Sequence, residues 1–250
     1  VVGVYEAPAY QGTFPADLEE RHFIIRIAYP WKNFGPQFSM MLSTVIGNIS
    51  SSGKVKLLDL EFPDEFLQNF KGPKFGIPGI REILGVYDRP LLNNMIKPCT
   101  GLSPEKTAEL AYEAAVGGVD IIKDDELVSD PPHCPLEERV KAVMAAVKKA
   151  DEVKGEKTLY AFNITDRLDK MKEHAYRAIE LGANCLMINF ATVGLDTARI
   201  IAEDPNINVP ILAHSDYVGA STACEWCGTS TKLMNAKLPR MAGLDMVIAL

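Results

Sequence analysis

The chain has 250 residues, of which 47% are hydrophobic and 24% charged, enough for one large or two smaller globular domains. It lacks a run of about 18 apolar residues that would predict a membrane span. The net charge of −7 disfavours nucleic acid, whose binders usually carry a basic face. The five cysteines lack the spacing of a disulfide framework, which fits a reducing cytoplasm. Because the chain starts at Val1 and ends on an apolar run, we expect a piece of a longer protein.

Residues 1–75 predict an incomplete α+β domain. Residues 22–28 and 54–60 have strand-like apolar patterns, and a short helix is expected between them over 37–47. Residues 72–78 are rich in glycine and proline, which indicates a linker. We therefore divide the chain into a partial N-terminal domain, 1–75, and a second domain, 76–250.

From about residue 90, short apolar runs alternate with amphipathic stretches. The predicted strands are 91–96, 119–122, 158–162, 185–190, 209–213 and 245–250, and the predicted helices are 104–115, 136–153, 167–181 and 196–203. This alternation predicts βαβ units and a parallel sheet covered on both faces. Six strands fit a doubly wound sheet, or the first six strands of a TIM (β/α)8 barrel, which needs eight.

Polar residues follow most of these strands directly. They are Lys97, the cluster Lys123, Asp124, Asp125 and Glu126, then Asn163, Asn189 and His214. The carboxyl ends of barrel strands converge on one mouth, whereas a doubly wound sheet gathers ligands near its switch point alone. Five strand ends with polar residues therefore favour a catalytic barrel. The alternative is that polar residues simply mark where strands end.

Lys97 and the Lys123 cluster are the candidates for chemistry. Mg²⁺ prefers carboxylate oxygens, but alternation along an extended strand end sends neighbouring side chains to opposite sides. A metal site therefore competes with a solvated acidic turn as the interpretation. Inside a barrel mouth, desolvation and nearby cations would lower the pKa of Lys97 and suit it to proton abstraction. The alternative is an exposed lysine before a loop.

Cys224 and Cys227 have CxxC spacing. Structural zinc needs four ligands, and the nearest further pair is His133 with Cys134. We therefore expect a buried pair on a helix rather than a metal site.

Four segments resemble parts of RuBisCO large chains. They are 95–103, similar to the lysine-proline-lysine stretch after the first barrel strand; 117–126, similar to the metal-site strand; 43–48, similar to the N-terminal asparagine segment; and 72–77, similar to the interdomain segment. The resemblance runs through the whole chain. It implies a ferredoxin-like α+β domain followed by a truncated TIM-type barrel.

The resemblance also implies a metal site. Lys123 would take up CO₂ as a carbamate and, with Asp125 and Glu126, hold Mg²⁺. Asp124 would point away from the metal.

The remaining implied roles concern the substrate and a partner subunit. Lys97 would be the acid–base residue and His214 a second catalytic residue. Asn48 would reach into the mouth of a partner subunit, which implies a homodimer with shared active sites. Asn163 would line the substrate site.

Several positions depart from the carboxylase pattern. Carboxylases have a second lysine where this chain has Cys99, and a phosphate-binding arginine where it has Ser215. Met95 and Val218 replace an expected threonine and histidine. Loss of the arginine favours a substrate with one phosphate, near Ser215 and Cys99.

These departures make the chain resemble the RuBisCO-like proteins of the form IV group. Their activities include enolisation in methionine salvage, isomerisation of a methylthio-ribulose phosphate, and decarboxylation of a keto-sugar-acid phosphate. We therefore expect Mg²⁺-dependent enolisation of a keto-sugar phosphate in the cytoplasm. The alternatives are a true carboxylase, a non-catalytic RuBisCO-like protein in stress or regulation, and an unrelated barrel enzyme with carboxylate-held Mg²⁺.

Overall fold

A computed structural model describes residues 2–4 and 23–248. The strands are β1 (Val2–Val4), β2 (Arg26–Ala28), β3 (Lys56–Leu57), β4 (Asn93–Met95), β5 (Ile121–Lys123), β6 (Leu159–Asn163), β7 (Cys185–Asn189), β8 (Ile211–His214), β9 (Gly228–Thr229) and β10 (Met246–Val247). The α-helices are α1 (Phe38–Leu42), α2 (Asp64–Leu67), α3 (Gly76–Leu84), α4 (Pro104–Val116), α5 (Leu136–Lys154), α6 (Leu168–Glu180), α7 (Phe190–Val193), α8 (Leu195–Ala202), α9 (Val218–Thr222) and α10 (Leu238–Met241). Within the described ranges, no helix is both long and apolar enough to cross a membrane.

A six-stranded parallel sheet forms the centre of the molecule, in the order β10-β8-β7-β6-β5-β4. Strands that are neighbours in this sheet are also consecutive among these six strands along the chain, as in a barrel that is wound in one direction. The predicted α/β half-barrel of six strands is therefore confirmed. The last residues of the predicted sixth strand, 249–250, lie outside the described residues.

The four central strands, β5 to β8, are buried on both faces because alternate strand residues join different cores. One set packs against Ile80 and Leu84 of α3; it consists of Ile121, Leu159, Ala161, Cys185, Met187 and Leu212. The other set packs against the outer helices; it includes Ile122, Tyr160, Phe162, Leu186 and Ile188. Helix α3 thus fills the inner face of the half-barrel and leaves the carboxyl edge of the strands for polar residues.

The N-terminal segment packs on α8. The Asp196 carboxylate accepts hydrogen bonds from the backbone amides of Phe38 and Ser39, at 3.0 and 2.7 Å, and so caps α1. The Arg199 guanidinium lies 4.1 Å from the ring centre of Phe70, within cation–π range. These contacts join the two parts of the chain, and the domain division at 75/76 remains a prediction.

Short elements differ most from the sequence predictions. The predicted linker 72–78 contains the start of α3, because the Asp245 carboxylate accepts hydrogen bonds from the amides of Phe75 and Gly76. The predicted helix 37–47 ends as α1 at Leu42 and continues as a π-turn, Ser43–Gly47. Strand β3 pairs in parallel with β9, a pairing that the sequence analysis did not foresee. His22, the first residue of the predicted strand 22–28, lies outside the described residues.

Asp245 links three elements, so we expect its loss to destabilise the fold. One carboxylate oxygen accepts from Phe75 and Gly76 at 2.7 and 2.9 Å, and the other from the Ile211 amide at 2.9 Å. Asp245→Ala should lower the free energy of unfolding by about 2–4 kcal/mol, because three amides lose a charged acceptor. Chemical denaturation measures this loss. Glu152 is exposed on α5, so Glu152→Ala is the control and should change the free energy of unfolding by less than about 0.5 kcal/mol. Equal losses in the two variants would refute the role of Asp245.

Candidate active site

Polar residues from five strand ends meet at the carboxyl edge of the sheet. Strand register places Met95 beside Lys123, and Asn189 beside His214, so the strands end at similar heights. Contacts described below join Lys97, Lys123, Asp125, Glu126, Asn163, Asn189 and His214. The structure thus brings together most of the residues that the sequence analysis selected.

Lys97 forms an ion pair with Asp125. Its Nζ lies 2.6 Å from Asp125 Oδ2 and 3.0 Å from Cys99 Sγ. The hydrogen bond to Asp125, followed by that to Cys99, raises the pKa of Lys97 above its ordinary value. The expectation of a lowered pKa is therefore wrong for this arrangement. The physical reason is that the nearest group is a carboxylate rather than a cation, and that the Lys97 side chain is 49% exposed.

Lys123 is the buried cation of the site. The residue is 1% exposed, and its Nζ lies 3.0 Å from the Asp124 carbonyl oxygen and 3.2 Å from Glu126 Oε2. Burial alone would raise the pKa of Glu126, but its own backbone amide and the Lys123 ammonium outweigh burial and lower it. Glu126 is therefore held as a carboxylate.

His214 is oriented by the loop that follows it. Its Nδ1 accepts a hydrogen bond from the Asp216 amide at 3.1 Å. In the neutral ring the proton therefore resides on Nε2, which lies 3.4 Å from Glu126 Oε2. Burial, followed by the charge of Lys123, lowers the pKa of His214, so the neutral form is favoured.

Asp124 faces away from this cluster into the barrel wall. Its Oδ1 accepts from the Tyr160 hydroxyl at 2.7 Å, and its Oδ2 accepts from Arg139 Nε at 3.1 Å and from the Asn163 amide at 2.9 Å. Arg139 is completely buried. The sequence analysis missed Arg139 and Tyr160, because an arginine on α5 looks like any charge on an amphipathic helix.

Asn163 and Asn189 hold the loop that carries Glu126. The side-chain amide of each donates to the Glu126 carbonyl oxygen at 3.0 Å. Asn163 Oδ1 also accepts from the Thr165 hydroxyl at 2.6 Å. Asn163 was predicted to line the substrate site; the structure gives it these contacts with the loop, and its contact with substrate remains a prediction.

Several buried polar atoms near His214 have no hydrogen-bond partner among the described residues: Asn189 Oδ1, Ser215 Oγ and Asp216 Oδ1. Burial and the charge of Glu126 raise the pKa of Asp216. The sequence analysis missed Asp216; its only signal was its place two residues after His214. Unpaired buried groups are costly, so a polar ligand at this edge would have groups to bind.

Asn48 is separate from the cluster within one chain. It begins the short exposed turn Asn48–Ser51. Among the described residues, none of the hydrogen bonds or ion pairs joins it to the strand ends. Its predicted place in a partner subunit's mouth remains a prediction.

The donor set suits Mg²⁺ on one condition. In the described ranges, no group of three His, Cys, Asp or Glu side chains is arranged to hold a metal ion. Asp125 and Glu126 supply two carboxylates, each paired with a lysine. An ammonium on Lys123 would repel a divalent cation. A carbamate there would reverse its charge and add the missing oxygen donor, so the residues fit Mg²⁺ if Lys123 is carbamylated.

A half-barrel with its polar cluster at the carboxyl edge defines an α/β-barrel protein with a candidate active site. The chain matches the family model "Ribulose bisphosphate carboxylase large chain, catalytic domain" over residues 76–249. It matches the N-terminal domain model of the same chain over residues 4–66. The chain therefore belongs to the RuBisCO large-chain family.

Its relatives include RuBisCO-like proteins, enolases and carboxylases. It is 55% identical over 248 residues to the "Ribulose bisphosphate carboxylase-like protein" of Archaeoglobus fulgidus, covering 99% of this chain and 57% of the relative. It is 44% identical over 232 residues to a "2,3-diketo-5-methylthiopentyl-1-phosphate enolase" of Geobacillus thermodenitrificans, covering 93% of this chain and 56% of the enolase. The chain thus spans somewhat more than half the length of these relatives.

Solved structures share the fold. The RuBisCO-like protein MtnW of Alicyclobacillus acidocaldarius superposes with a TM-score of 0.84 at 39% identity, over 88% of this chain and 56% of that one. The "Dimeric Archeal Rubisco" of Hyperthermus butylicus gives 0.87 at 35% identity, over 92% and 55%. Because proteins named as enolases and as carboxylases both match, the fold alone does not select the reaction.

Removing Arg139 should destabilise the protein strongly. Arg139→Met leaves the Asp124 carboxylate buried without its cation, which we expect to cost about 3–5 kcal/mol. Arg177→Met is the matched control, because Arg177 pairs with Glu137 and Glu180 at the surface and exposed pairs contribute about 1 kcal/mol or less. Urea denaturation of both variants tests the difference. A loss at Arg139 no larger than at Arg177 would contradict the proposed role of the buried pair.

Proposed function

We propose that the full-length protein catalyses Mg²⁺-dependent enolisation of a keto-sugar phosphate, the reaction class of the 2,3-diketo-5-methylthiopentyl-1-phosphate enolases. The main observation is the position of Lys123, buried beside Glu126 and close to Asp125 at the mouth of the barrel. The named enolases among the relatives support the reaction class.

Lys123, as a carbamate, would hold Mg²⁺ together with Asp125 and Glu126. A bound Mg²⁺ would supply Lewis-acid polarisation of a carbonyl group and stabilisation of negative charge. Lys123 suits this role because it is held on a strand, where neighbouring side chains restrict its position. Asn163 and Asn189 support the same site through the Glu126 carbonyl oxygen.

We assign proton transfer at the carbon next to the ketone to Lys97. Its amine is half-exposed at the mouth, whereas that of Lys123 is buried. An amine must be neutral to accept a proton, and the Asp125 carboxylate favours the ammonium form of Lys97. Engagement of Asp125 by another cation would remove the interaction that raises the pKa of Lys97. We assign to His214, whose neutral form is favoured, the donation of a hydrogen bond from Nε2 to developing negative charge.

Ser215 and Cys99 favour a substrate with one phosphate. Ser215 replaces a cation with a hydroxyl whose buried Oγ has no hydrogen-bond partner in the part of the chain that the structure describes. Cys99 replaces a second lysine with a thiol that contacts Lys97. A second phosphate would meet fewer positive charges here than in a carboxylase. We place Asn163, Ser215 and Cys99 along the substrate.

We further propose a cytoplasmic homodimer in which Asn48 contributes to the partner subunit's site. The exposed position of Asn48 leaves it available to a second subunit. A relative of known structure is described as a dimeric RuBisCO. The scattered cysteines, free in the described residues, are consistent with the cytoplasm.

Proton–deuterium exchange measured by NMR tests the proposed reaction. The full-length protein, in D₂O with Mg²⁺ and bicarbonate, is offered mono- and bisphosphorylated keto-sugars. We expect exchange at the carbon next to the ketone, with monophosphates preferred. Lys123→Ala should lower the rate by at least about 100-fold, because it loses the proposed metal ligand.

The control variant is Lys106→Ala, whose lysine is an exposed partner of Glu109 on α4; it should retain full exchange. Exchange that survives Lys123→Ala would refute the proposed site. Carboxylation of a bisphosphate would instead identify a true carboxylase, and absence of both exchange and Mg²⁺ binding would favour a non-catalytic protein.

The carbamate is tested separately from activity. With ¹³C-bicarbonate and Mg²⁺, we expect one carbamate ¹³C resonance that is absent from Lys123→Arg, because the guanidinium is not a nucleophile at neutral pH. Lys97→Arg should retain the resonance. A carbamate resonance that persists in Lys123→Arg would place the carbamate on another lysine.

A further inference from the structure

Cys224 and Cys227 lie in a tight surface loop, not on a buried helix as the sequence analysis expected. The loop connects α9 to β9. Cys224 is exposed and Cys227 half-buried, and both are free thiols. Neither cysteine belongs to the group of polar residues at the barrel mouth.

The backbone holds this loop closed. Gly228 has a positive φ of 81°, and a Cβ atom there would lie 2.0 Å from the Ser221 carbonyl oxygen, so the two ends of the loop touch. Thr229 Oγ1 donates to the same oxygen at 3.4 Å. Lys56 Nζ donates to the carbonyl oxygens of Thr222 and Cys224. The segment from Cys224 to Cys227 is therefore held in a compact turn.

Both thiols lie on this turn, separated by two residues. The Cys227 thiol donates a hydrogen bond to the Gly53 carbonyl oxygen at 3.7 Å. The backbone amides of Trp226 and Cys227 lower the pKa of the Cys224 thiol. Such donors stabilise a thiolate.

The two thiols have opposite acid–base character. The Trp226 amide, the Cys227 thiol and the charge of Lys56 lower the pKa of Cys224. Its neighbour Cys224 raises the pKa of Cys227. The exposed Cys224 thiol is therefore suited to attack a disulfide first and the Cys227 thiol to attack second, as in CxxC dithiols that exchange disulfides.

We propose that Cys224 and Cys227 form a redox-active dithiol that is oxidised to an intramolecular disulfide by exchange with a low-molecular-weight disulfide. The Cys224 thiolate attacks one sulfur of the reagent, breaks its S–S bond and releases one thiolate. Cys227 loses its proton and attacks the Cys224 sulfur of the mixed disulfide, which releases the second thiolate. Two protein thiols become one disulfide, and the reagent disulfide becomes two thiols.

The disulfide would act on the contact between the two parts of the chain. Cys227 directly precedes β9, whose Gly228 and Thr229 pair with Lys56 and Leu57 of β3. Cys224 follows α9, which begins four residues after His214. Oxidation would therefore restrain the connection between the mouth of the barrel and the N-terminal segment.

Oxidised glutathione is the probe, and the reduced full-length protein is the starting material. After reaction, free thiols are trapped with iodoacetamide and mapped by peptide mass. We expect a disulfide between Cys224 and Cys227 in the wild-type protein. Cys227→Ser should instead accumulate glutathione on Cys224, because the second attack is absent.

Cys224→Ser should leave Cys227 largely unmodified over the same time. Glutathione on Cys227 in this variant, or its absence from Cys224 in Cys227→Ser, would overturn the assignment of the attacking thiol. A wild-type protein that keeps both thiols free would overturn the proposal itself.

Alkylation rates supply a readout that depends on the fold. In the native protein, Cys224 should react with iodoacetamide at least about tenfold faster than Cys185, a buried thiol whose pKa is raised by burial. In denaturant the two rates should become similar. Equal rates in the native protein would contradict a selectively reactive Cys224.

Discussion

The burial of Asp124 is the constraint on which the candidate site depends. A carboxylate with 2% exposure is tolerated because the Tyr160 hydroxyl, Arg139 and a backbone amide all donate to it. Since adjacent side chains at a strand end point to opposite sides, holding Asp124 in the barrel wall turns Lys123 and Asp125 toward the mouth. The chemistry of the mouth thus depends on a buried ion pair whose two side chains face the barrel wall.

Charge balance at the mouth explains why the same residues can exist in two states. Lys97 neutralises Asp125 and Lys123 neutralises Glu126, so both carboxylates are paired within the protein. Carbamylation of Lys123 would convert one of these cations into an anion and leave an acidic site for a divalent cation. The asparagine amides on the Glu126 carbonyl oxygen would hold the loop in position through this change.

The proposed reaction class rests on individual residues, because the fold alone does not select a reaction. Relatives named as enolases and as carboxylases share the architecture. Cys99 and Ser215 are the described positions at which cations of the carboxylase pattern are replaced by uncharged groups. Phosphate recognition depends strongly on such cations, which is why these two positions carry the proposal of a singly phosphorylated substrate.

The sequence alone determined the alternation of strands and helices, because short apolar runs and amphipathic stretches have periods that local composition sets. Polar residues at five strand ends then favoured a barrel over a doubly wound sheet. The sequence also identified Lys97, Lys123, Asp125, Glu126 and His214, since each follows a predicted strand. Only the tertiary structure decided the contacts that depend on residues far apart in the chain. Asp245 starts α3 inside a predicted linker, Arg139 reaches Asp124 across 15 positions, and Asp125 raises the pKa of Lys97 where a lowered value was expected. Each of these depends on which charge lies nearest in space, and no local pattern in the sequence records that distance.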